Sequence, residues 1–191
     1  LSPESRIATF RSMIETYVNQ SVEALAALPV PVIAQVRGAC AGFGLSLVLG
    51  CDMAVAADSA YFTTAYASIA LSGDGGVSWF LPRVLGRRKA FELLLLADRF
   101  DATEAKHLGV VNQVVPAGEL DAATAALVAR FVKGPRETYG EMKRLLNQSP
   151  EQSLAAQLQL EAEAFARSTA RPNFDEGINA FLGKRKPGFN A

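Results

Sequence analysis

The first apolar pattern along the chain has helical spacing. Between residues 3 and 28, apolar side chains recur every three or four positions, which predicts one long helix. Ser2 suits the N-cap of this helix, and Pro3 suits its first turn because a proline there costs no hydrogen bond. Pro29 and Pro31 then end the pattern.

The pattern next changes to short, unbroken apolar runs, which are typical of buried strands. Val32–Val36 and Met53–Ala57 are such runs, separated by a glycine-spaced turn at residues 38–44 and a short apolar helix, Leu45–Leu49. Tyr61–Thr63 and Val110–Val115 predict two further strands. Strands separated by helices indicate an α/β core with buried, largely parallel strands.

Helical spacing returns after residue 75 and takes over completely from Leu120. Asp101, followed three residues later by Glu104, predicts a capping box for a short helix that ends at Gly109. Other helices are predicted at 76–84, 89–97, 120–133, 136–146, a longer one capped by Ser149–Gln152 and reaching about residue 167, and about 174–184. We therefore divide the chain into a core, residues 1–116, and a helical C-terminal region, residues 117–191.

The glycine-spaced turn is a candidate for chemistry. Glycines at 42 and 44 let the backbone approach a ligand without a Cβ in the way. A helix that opens at Gly44 leaves its first N–H groups unpaired, at the positive end of its dipole. Such a site suits an oxygen that gains negative charge during a reaction. The alternative is a tight turn in which the glycines serve packing only.

Composition narrows the class of protein. The 191 residues are 50% hydrophobic, enough to bury a sizeable core, and 19 Lys and Arg balance 19 Asp and Glu. No overall field would therefore recruit nucleic acid or an acidic membrane, and no apolar run approaches the ~20 residues that span a bilayer. Cys40 and Cys51 lie in apolar surroundings without clustered histidines, so we expect buried thiols in a reducing cytoplasm and no metal site.

The run RGACAGFGLSLVLGCDMAVAADSAYF, residues 37–62, resembles the core of the enoyl-CoA hydratase/isomerase (crotonase) superfamily. The resemblance continues through residues 81–86, 105–111 and 181–186. It implies a crotonase-like spiral of ββα turns, followed by helices that pack on neighbouring subunits in a homotrimer or hexamer. Family members usually carry a front section of strands before the first helix. This sequence lacks that section, so we interpret it as a fragment.

The resemblance also implies an acyl-CoA thioester as substrate, with coenzyme A arriving as part of it and no other cofactor. Two backbone N–H groups hold the thioester oxygen in the family. One maps to Phe43, between Gly42 and Gly44, and the other to the front section. The tail residue Lys184 corresponds to positions that approach the CoA phosphates of a neighbouring subunit, although a solvated basic helix end is an equal alternative.

Two departures from the family pattern concern the reaction. Hydratases of the family use two glutamates, and this chain has Ser46 and Tyr66 at those positions. Neither side chain acts as a carboxylate base near neutral pH. Asp74 is the remaining candidate, resembling the aspartate of family isomerases, including those acting on epoxides of phenylacetyl-CoA, and of aryl-CoA dehalogenases. The alternative for an aspartate before two glycines is a turn or N-cap residue.

We therefore expect an isomerase-type proton shuttle, in which the Phe43 N–H polarises the thioester and Asp74 moves the proton. Ser46, Tyr66 and Trp79 are expected to shape the acyl pocket, although core packing explains Trp79 equally well. The lone histidine, at position 107, is expected on a helix surface. The alternatives are a hydratase, a substitution enzyme with the aspartate as nucleophile, and a non-catalytic member that binds CoA esters.

Overall fold

The structure of this chain is a computed structural model that describes residues 2–189. Within this range there are six strands, β1 to β6, which cover Ile33–Val36, Ala39–Ala41, Met53–Ala57, Tyr61–Thr63, Phe100–Asp101 and Gln113–Val115. The α-helices of the described residues, α1 to α10, cover Pro3–Met13, Gln20–Ala27, Phe43–Gly50, Val77–Leu85, Arg87–Leu96, Ala102–His107, Leu120–Val132, Arg136–Gln148, Leu154–Thr169 and Pro172–Leu182. The α/β expectation is confirmed.

The strands form two small sheets. In the first, β3 lies between β1 and β6 and is parallel to both. In the second, β4 lies between β2, to which it is parallel, and β5, to which it is antiparallel. The predicted mainly parallel core is therefore present. The strand β2 lies inside the glycine-spaced turn, where the sequence predicted none, because Ala39–Ala41 has little β propensity of its own and depends on pairing with β4.

The first helical region begins as predicted, with the Ser2 hydroxyl accepting from the Ser5 N–H at 3.2 Å. Its middle turn, Ile14–Asn19, is π-helical and joins α1 to α2. A π-helical turn is rare and its i→i+5 bonding leaves no trace in hydrophobic spacing, so it could not be predicted from the sequence. The apolar side chains Ile7, Phe10 and Tyr17 of this region are exposed.

The largest differences from the predicted boundaries are at the last strand and at the cap of α9. The predicted strand from Val110 begins only at Gln113, because the Val110 and Val111 N–H groups both bond the Ala105 carbonyl and close α6. Similarly, residues 149–151 form a separate 3₁₀ turn, and the cap of α9 is Ser153, whose hydroxyl accepts from the Ala156 N–H at 3.2 Å.

The described residues group into two compact units. The first runs up to Ala26 and again over Val32–Thr124, and the second comprises Ala27–Pro31 and the residues from Ala125 onward. This grouping does not say where an independently folding domain begins, so the boundary at residues 116 and 117 stays a prediction. No helix of the described residues is long and apolar enough to cross a membrane.

The core of the first unit lies where α3, β4 and α4 meet. Leu45 of α3, Phe62 of β4 and Leu81 of α4 are each fully buried in one apolar cluster. Phe62 also stacks on Phe100, with ring centroids 5.5 Å apart. Burying each such side chain stabilises the fold by about 1.5–3 kcal/mol. Three segments contact or adjoin this buried cluster: residues 42–46, 64–66 and 73–76.

In the second unit, α8, α9 and α10 pack around a cluster of charges. The Glu141 carboxylate bonds Arg144 on its own helix and Arg167 of α9, and it also pairs with Arg171. Hydrogen bonds from Arg167 and then Arg144 lower the pKa of Glu141. At the end of α10, Arg185 forms a bidentate pair with Glu176 at 2.6 and 2.8 Å.

The N-cap of α6 allows a direct test of the local fold. Asp101 Oδ1 accepts from the Glu104 N–H at 2.8 Å, so Asp101→Ala should lower the free energy of unfolding by about 1 kcal/mol. Asp101→Asn is the matched control and should retain most of that stability, because the amide oxygen can still accept. Urea unfolding of the three proteins measures the difference, and equal losses in both variants would contradict a capping role.

Candidate functional site

The turn before α3 leaves backbone donors exposed to a ligand. Gly42 is the N-cap, with φ +54°, and α3 begins at Phe43, before the predicted start at Leu45. The Gly42 carbonyl accepts from the N–H groups of Leu45 and Ser46 at 3.0 and 3.2 Å. Within residues 2–189, no acceptor receives the Phe43 N–H. This donor lies at the positive end of α3, which is the arrangement an oxyanion site needs.

Ser46, one turn further along α3, connects this turn to the loop that carries Asp74. Its side chain is fully buried. Its hydroxyl donates to the backbone carbonyl of Asp74 at 2.9 Å and lies 3.1 Å from the Tyr66 hydroxyl. A Ser at this position therefore does more than fill space, since it holds the loop against the helix.

Tyr66 and Asp74 form the shortest hydrogen bond of the site. The Tyr66 hydroxyl donates to Asp74 Oδ1 at 2.6 Å, the range expected for a hydroxyl bonded to a carboxylate. Burial, and then the hydrogen bond to Asp74, raise the pKa of Tyr66 to about 12. Tyr66 is therefore a protonated phenol near neutral pH and acts as a hydrogen-bond donor.

The Asp74 carboxylate does not cap the helix that follows it. The N-cap of α4 is Gly76, and no side chain bonds the first turn of α4. Asp74 contributes to that turn only through its backbone carbonyl, which accepts from the Val77 N–H at 3.2 Å. The turn-residue alternative therefore accounts for the backbone of Asp74 and not for the direction of its side chain.

Gly75 brings this loop into contact with the turn. It has φ +59°, and a Cβ there would lie 2.6 Å from Cδ2 of the Phe43 ring and 2.9 Å from Cβ of Ser46. The Phe43 ring can therefore pack directly against the backbone of the loop that carries Asp74, because Gly75 has no side chain. Gly73, with φ +104°, similarly leaves room for Val77 and the Tyr66 ring. The structure therefore brings together Phe43, Ser46, Tyr66 and Asp74.

Other candidates lie apart from this cluster. Trp79 is 38% exposed, and its ring contacts are an edge-on Phe80 and the Arg83 guanidinium, whose carbon lies 3.8 Å from the ring centroid. Lys184 is exposed just after α10, with φ +49°. His107 is exposed at the end of α6, as expected.

Neither Cys40 nor Cys51 forms a disulfide, but only one of them matches the expected burial. Cys40 is buried, and burial raises its pKa to about 12, so it is not a nucleophile at neutral pH. Cys51 is half-buried, which is less than expected. No group of three His, Cys, Asp or Glu side chains in the described part of the chain could hold a metal ion.

The hydrogen bonds among Ser46, Tyr66 and Asp74 could not be read from the sequence. The three residues are separated by 20 and 8 positions, and only the packing of α3 against the loop joins them. The available signal was indirect: two hydroxyl side chains occupy the positions of the two family glutamates, and an aspartate follows nearby. Polar residues at such positions are candidates for one connected network.

With this geometry established, comparisons with known proteins identify the family. A model of the enoyl-CoA hydratase/isomerase family matches residues 5–191. This chain belongs to the enoyl-CoA hydratase/isomerase family. It is 37% identical over 176 residues to the 1,2-epoxyphenylacetyl-CoA isomerase of Escherichia coli, covering 92% of this chain and 67% of the relative.

Further relatives differ in their reactions. A probable enoyl-CoA hydratase of Rhodobacter capsulatus is 35% identical over 180 residues, covering 92% of this chain and 70% of that protein. A 4-chlorobenzoyl coenzyme A dehalogenase of Arthrobacter is 29% identical over 184 residues, covering 96% and 67%.

Solved structures match the fold. The crystal structure of an enoyl-CoA hydratase from Polaromonas superposes with a TM-score of 0.91 at 37% identity, covering 99% of this chain and 72% of that one. A structure from Mycobacterium abscessus, described as a putative enoyl-CoA hydratase/isomerase, gives 0.93 at 34% identity, covering 98% and 72%. The crotonase-like fold is therefore confirmed.

The contact at Gly75 predicts a large difference between two glycines of the site. Gly75→Ala places a Cβ against the Phe43 ring and Ser46 and forces alanine into a left-handed backbone, so it should destabilise the fold by about 2–4 kcal/mol. Gly44→Ala is the matched control, because a Cβ there meets nothing within 4 Å and alanine favours a helix. Urea unfolding should show the loss only for Gly75→Ala, and equal stabilities would contradict the contact.

Proposed function

We propose that this chain acts as an isomerase on acyl-CoA thioesters, moving a proton through a thioester enolate. The observation that carries the proposal is the position of the Asp74 carboxylate. It accepts a hydrogen bond from Tyr66, and the next residue, Gly75, packs against the turn that presents the unpaired Phe43 N–H. Asp74 is the one carboxylate of the four-residue cluster. A positioned carboxylate beside an oxyanion donor can both accept and return a proton.

The reaction follows from these two groups. The Phe43 N–H holds the thioester oxygen, and Asp74 removes a proton from the carbon next to the thioester carbonyl. The electron pair of the broken C–H bond then moves into the thioester, giving an enolate whose charge the N–H stabilises. In a 3-enoyl thioester, Asp74 returns the proton two carbons further along, and the double bond moves into conjugation with the carbonyl.

Tyr66 and Ser46 argue against hydration by two carboxylates. With a pKa of about 12, Tyr66 stays protonated at neutral pH, and a serine hydroxyl does not ionise there. The similarity to a relative named as a 1,2-epoxyphenylacetyl-CoA isomerase supports the isomerase proposal, and the similarity to a probable enoyl-CoA hydratase supports the alternative. No cofactor beyond the coenzyme A of the substrate is needed for the proposed reaction.

A second candidate reaction is substitution at an acyl or aryl carbon, with Asp74 as nucleophile. The similarity to a 4-chlorobenzoyl coenzyme A dehalogenase favours it. This route forms an ester between the carboxylate and the substrate, whereas proton transfer does not. Mass spectrometry of the protein quenched during turnover distinguishes the two, because only substitution leaves substrate mass attached to Asp74.

Asp74→Asn tests the proton-shuttle proposal. The amide keeps the size and can still accept from Tyr66, but it cannot take a proton, so isomerisation of 3-hexenoyl-CoA should fall by about 10²–10⁴-fold. Deuterium exchange at the carbon next to the thioester should fall in step, since it needs the same base. Asp98→Asn, at an exposed position that forms no hydrogen bond with the four residues of the cluster, is the control and should keep the parent rates. Parent rates of both reactions in Asp74→Asn would assign Asp74 to the turn and favour a non-catalytic protein.

We also propose that the chain assembles as a homotrimer or hexamer, in which Lys184 approaches the CoA phosphates of a neighbouring subunit. Exposed apolar side chains on the second unit support an interface there: Phe165 is 74% exposed, Phe181 80% and Leu182 72%. A groove of about 450 Å³ between α8, α9 and α10 adds a further uncovered apolar surface.

Light scattering at micromolar concentration should therefore give three times the mass of the chain or a multiple of it. Phe181→Glu should lower this mass, because a charge would be buried in the interface. Leu95→Glu, at a 67% exposed position of the first unit, is the matched control and should leave the mass unchanged. A monodisperse monomer of the parent would contradict the assembly.

A further inference from the structure

The two hydroxyls beside Asp74, those of Ser46 and Tyr66, have fewer hydrogens than they have short contacts. Tyr66 Oη contacts Asp74 Oδ1 at 2.6 Å, Ser46 Oγ contacts the Asp74 carbonyl at 2.9 Å, and the two hydroxyls lie 3.1 Å apart. Each hydroxyl has one hydrogen to donate. While Asp74 is ionised, two hydrogens serve these three contacts, so one of the three is a pair of oxygens with no hydrogen between them. A fourth contact, from Ser46 Oγ to the Gly42 carbonyl, is the longest at 3.5 Å.

The distances decide which contact lacks the hydrogen. The Tyr66 hydrogen is bound to Asp74, because a bond to a charged oxygen is about twice as strong as one between neutral groups. The Ser46 hydrogen is bound to the Asp74 carbonyl at 2.9 Å, which is shorter than its distance to Tyr66. Ser46 Oγ is thus an unused acceptor directed at Tyr66 whenever Asp74 carries its charge.

We propose that Ser46 and Tyr66 are positioning residues that stabilise Asp74 both before and after it takes the substrate proton. This inference rests on the proposed function. Before transfer, Tyr66 donates to the ionised carboxylate. After transfer to the other carboxyl oxygen, Oδ1 is neutral, and the Tyr66 hydrogen can turn to Ser46 Oγ. The substrate C–H bond breaks, the carboxyl O–H bond forms, and both hydroxyls keep their own hydrogens.

Such a pair suits a shuttle better than a single donor does. A lone Tyr66 would favour the ionised carboxylate and so resist proton uptake. The second acceptor at Ser46 lowers the cost of the protonated state, because Tyr66 retains a good partner there. Tyr66 then keeps a hydrogen-bond partner before and after the transfer, which suits a group that must accept and return a proton.

Other ionisable groups on the surrounding elements do not take part in this exchange. The helix α3 has no ionisable side chain, and the segment after β4 contributes Tyr66. On α4 the ionisable side chain is Arg83, which lies over the Trp79 ring and bonds the Trp79 carbonyl. Within residues 2–189, Tyr66 is therefore the partner through which Ser46 reaches the carboxylate.

A double-mutant cycle with 3-hexenoyl-CoA tests the pair. Ser46→Ala in the parent should lower kcat by about five- to tenfold with KM unchanged, which is the value of one neutral hydrogen bond. In the Tyr66→Phe background the same change should have no further effect on kcat, because Ser46 acts through the Tyr66 hydroxyl. A purely structural Ser46, holding the loop through the Asp74 carbonyl, would give equal losses in both backgrounds, and that result would overturn the proposal.

A second measurement does not depend on activity. Alkaline titration of phenol absorbance, compared between the parent and Tyr66→Phe, gives the ionisation of Tyr66, expected at a pKa of about 12. Asp74→Asn should lower this pKa, because the carboxylate raises it. Ser46→Ala should raise it further, because in the parent the Ser46 hydroxyl can turn from the Asp74 carbonyl and donate to the phenolate once Tyr66 has lost its hydrogen. An unchanged Tyr66 titration in Ser46→Ala would show that the two hydroxyls share no hydrogen bond, and the pair would be rejected.

The failure of this inference can be separated from failure of the proposed function. If Asp74→Asn keeps the parent isomerisation rate, the proton shuttle itself is wrong. If Asp74→Asn is inactive while Ser46→Ala behaves identically with and without the Tyr66 hydroxyl, the shuttle stands and the positioning pair is wrong. The predicted combination is an inactive Asp74→Asn together with a Ser46 effect that requires Tyr66.

Discussion

The contact between Gly75 and the Phe43 ring is the constraint on which the rest of the site depends. The loop that carries Asp74 and the turn that exposes the Phe43 N–H approach within ordinary contact distance only because residue 75 has no Cβ. Ser46 closes the same junction with a hydrogen bond to the Asp74 carbonyl. A carboxylate and a backbone donor are thus held at a fixed separation by packing, before any substrate binds. That is the preorganisation on which electrostatic stabilisation of an enolate relies.

The sequence predicted those parts of the fold that depend on local physical chemistry. Met53–Ala57 was found with its observed ends, because an apolar run bounded by polar turns has few alternatives. The caps Ser2 and Asp101 were predicted correctly because each side chain accepts from the N–H three residues later, and such a short-range contact depends only on neighbouring residues. The strand β2 was missed because it forms only by pairing with β4. The cap Ser153 was missed because Ser149 has the same side chain and offers a similar capping pattern.

The candidate site shows the same limit. The sequence alone showed that Ser46 and Tyr66 stand at the positions of the two family glutamates and that Asp74 is the remaining candidate carboxylate. Their mutual hydrogen bonds could not be predicted, because side chains 8, 20 and 28 positions apart meet only through tertiary packing. The family comparison places the chain among acyl-CoA-processing enzymes, and the hydrogen bonds around Asp74 support the proposed isomerase among the reactions for which its relatives are named. With hydroxyls in place of both glutamates, the four-residue cluster of Phe43, Ser46, Tyr66 and Asp74 holds one carboxylate.

The π-helical turn at Ile14–Asn19 has a consequence for the orientation of the chain before it. One residue of an α-helix corresponds to a rotation of about 100° around the axis. The wider π-helical turn therefore changes the angle around the helix axis at which the side chains of α1 point, relative to those of α2. Deleting a single residue there would turn the apolar positions of Ile7 and Phe10 to a different side while leaving both helices intact. The direction in which the start of this chain presents its hydrophobic surface is thus encoded in one local change of helical pitch.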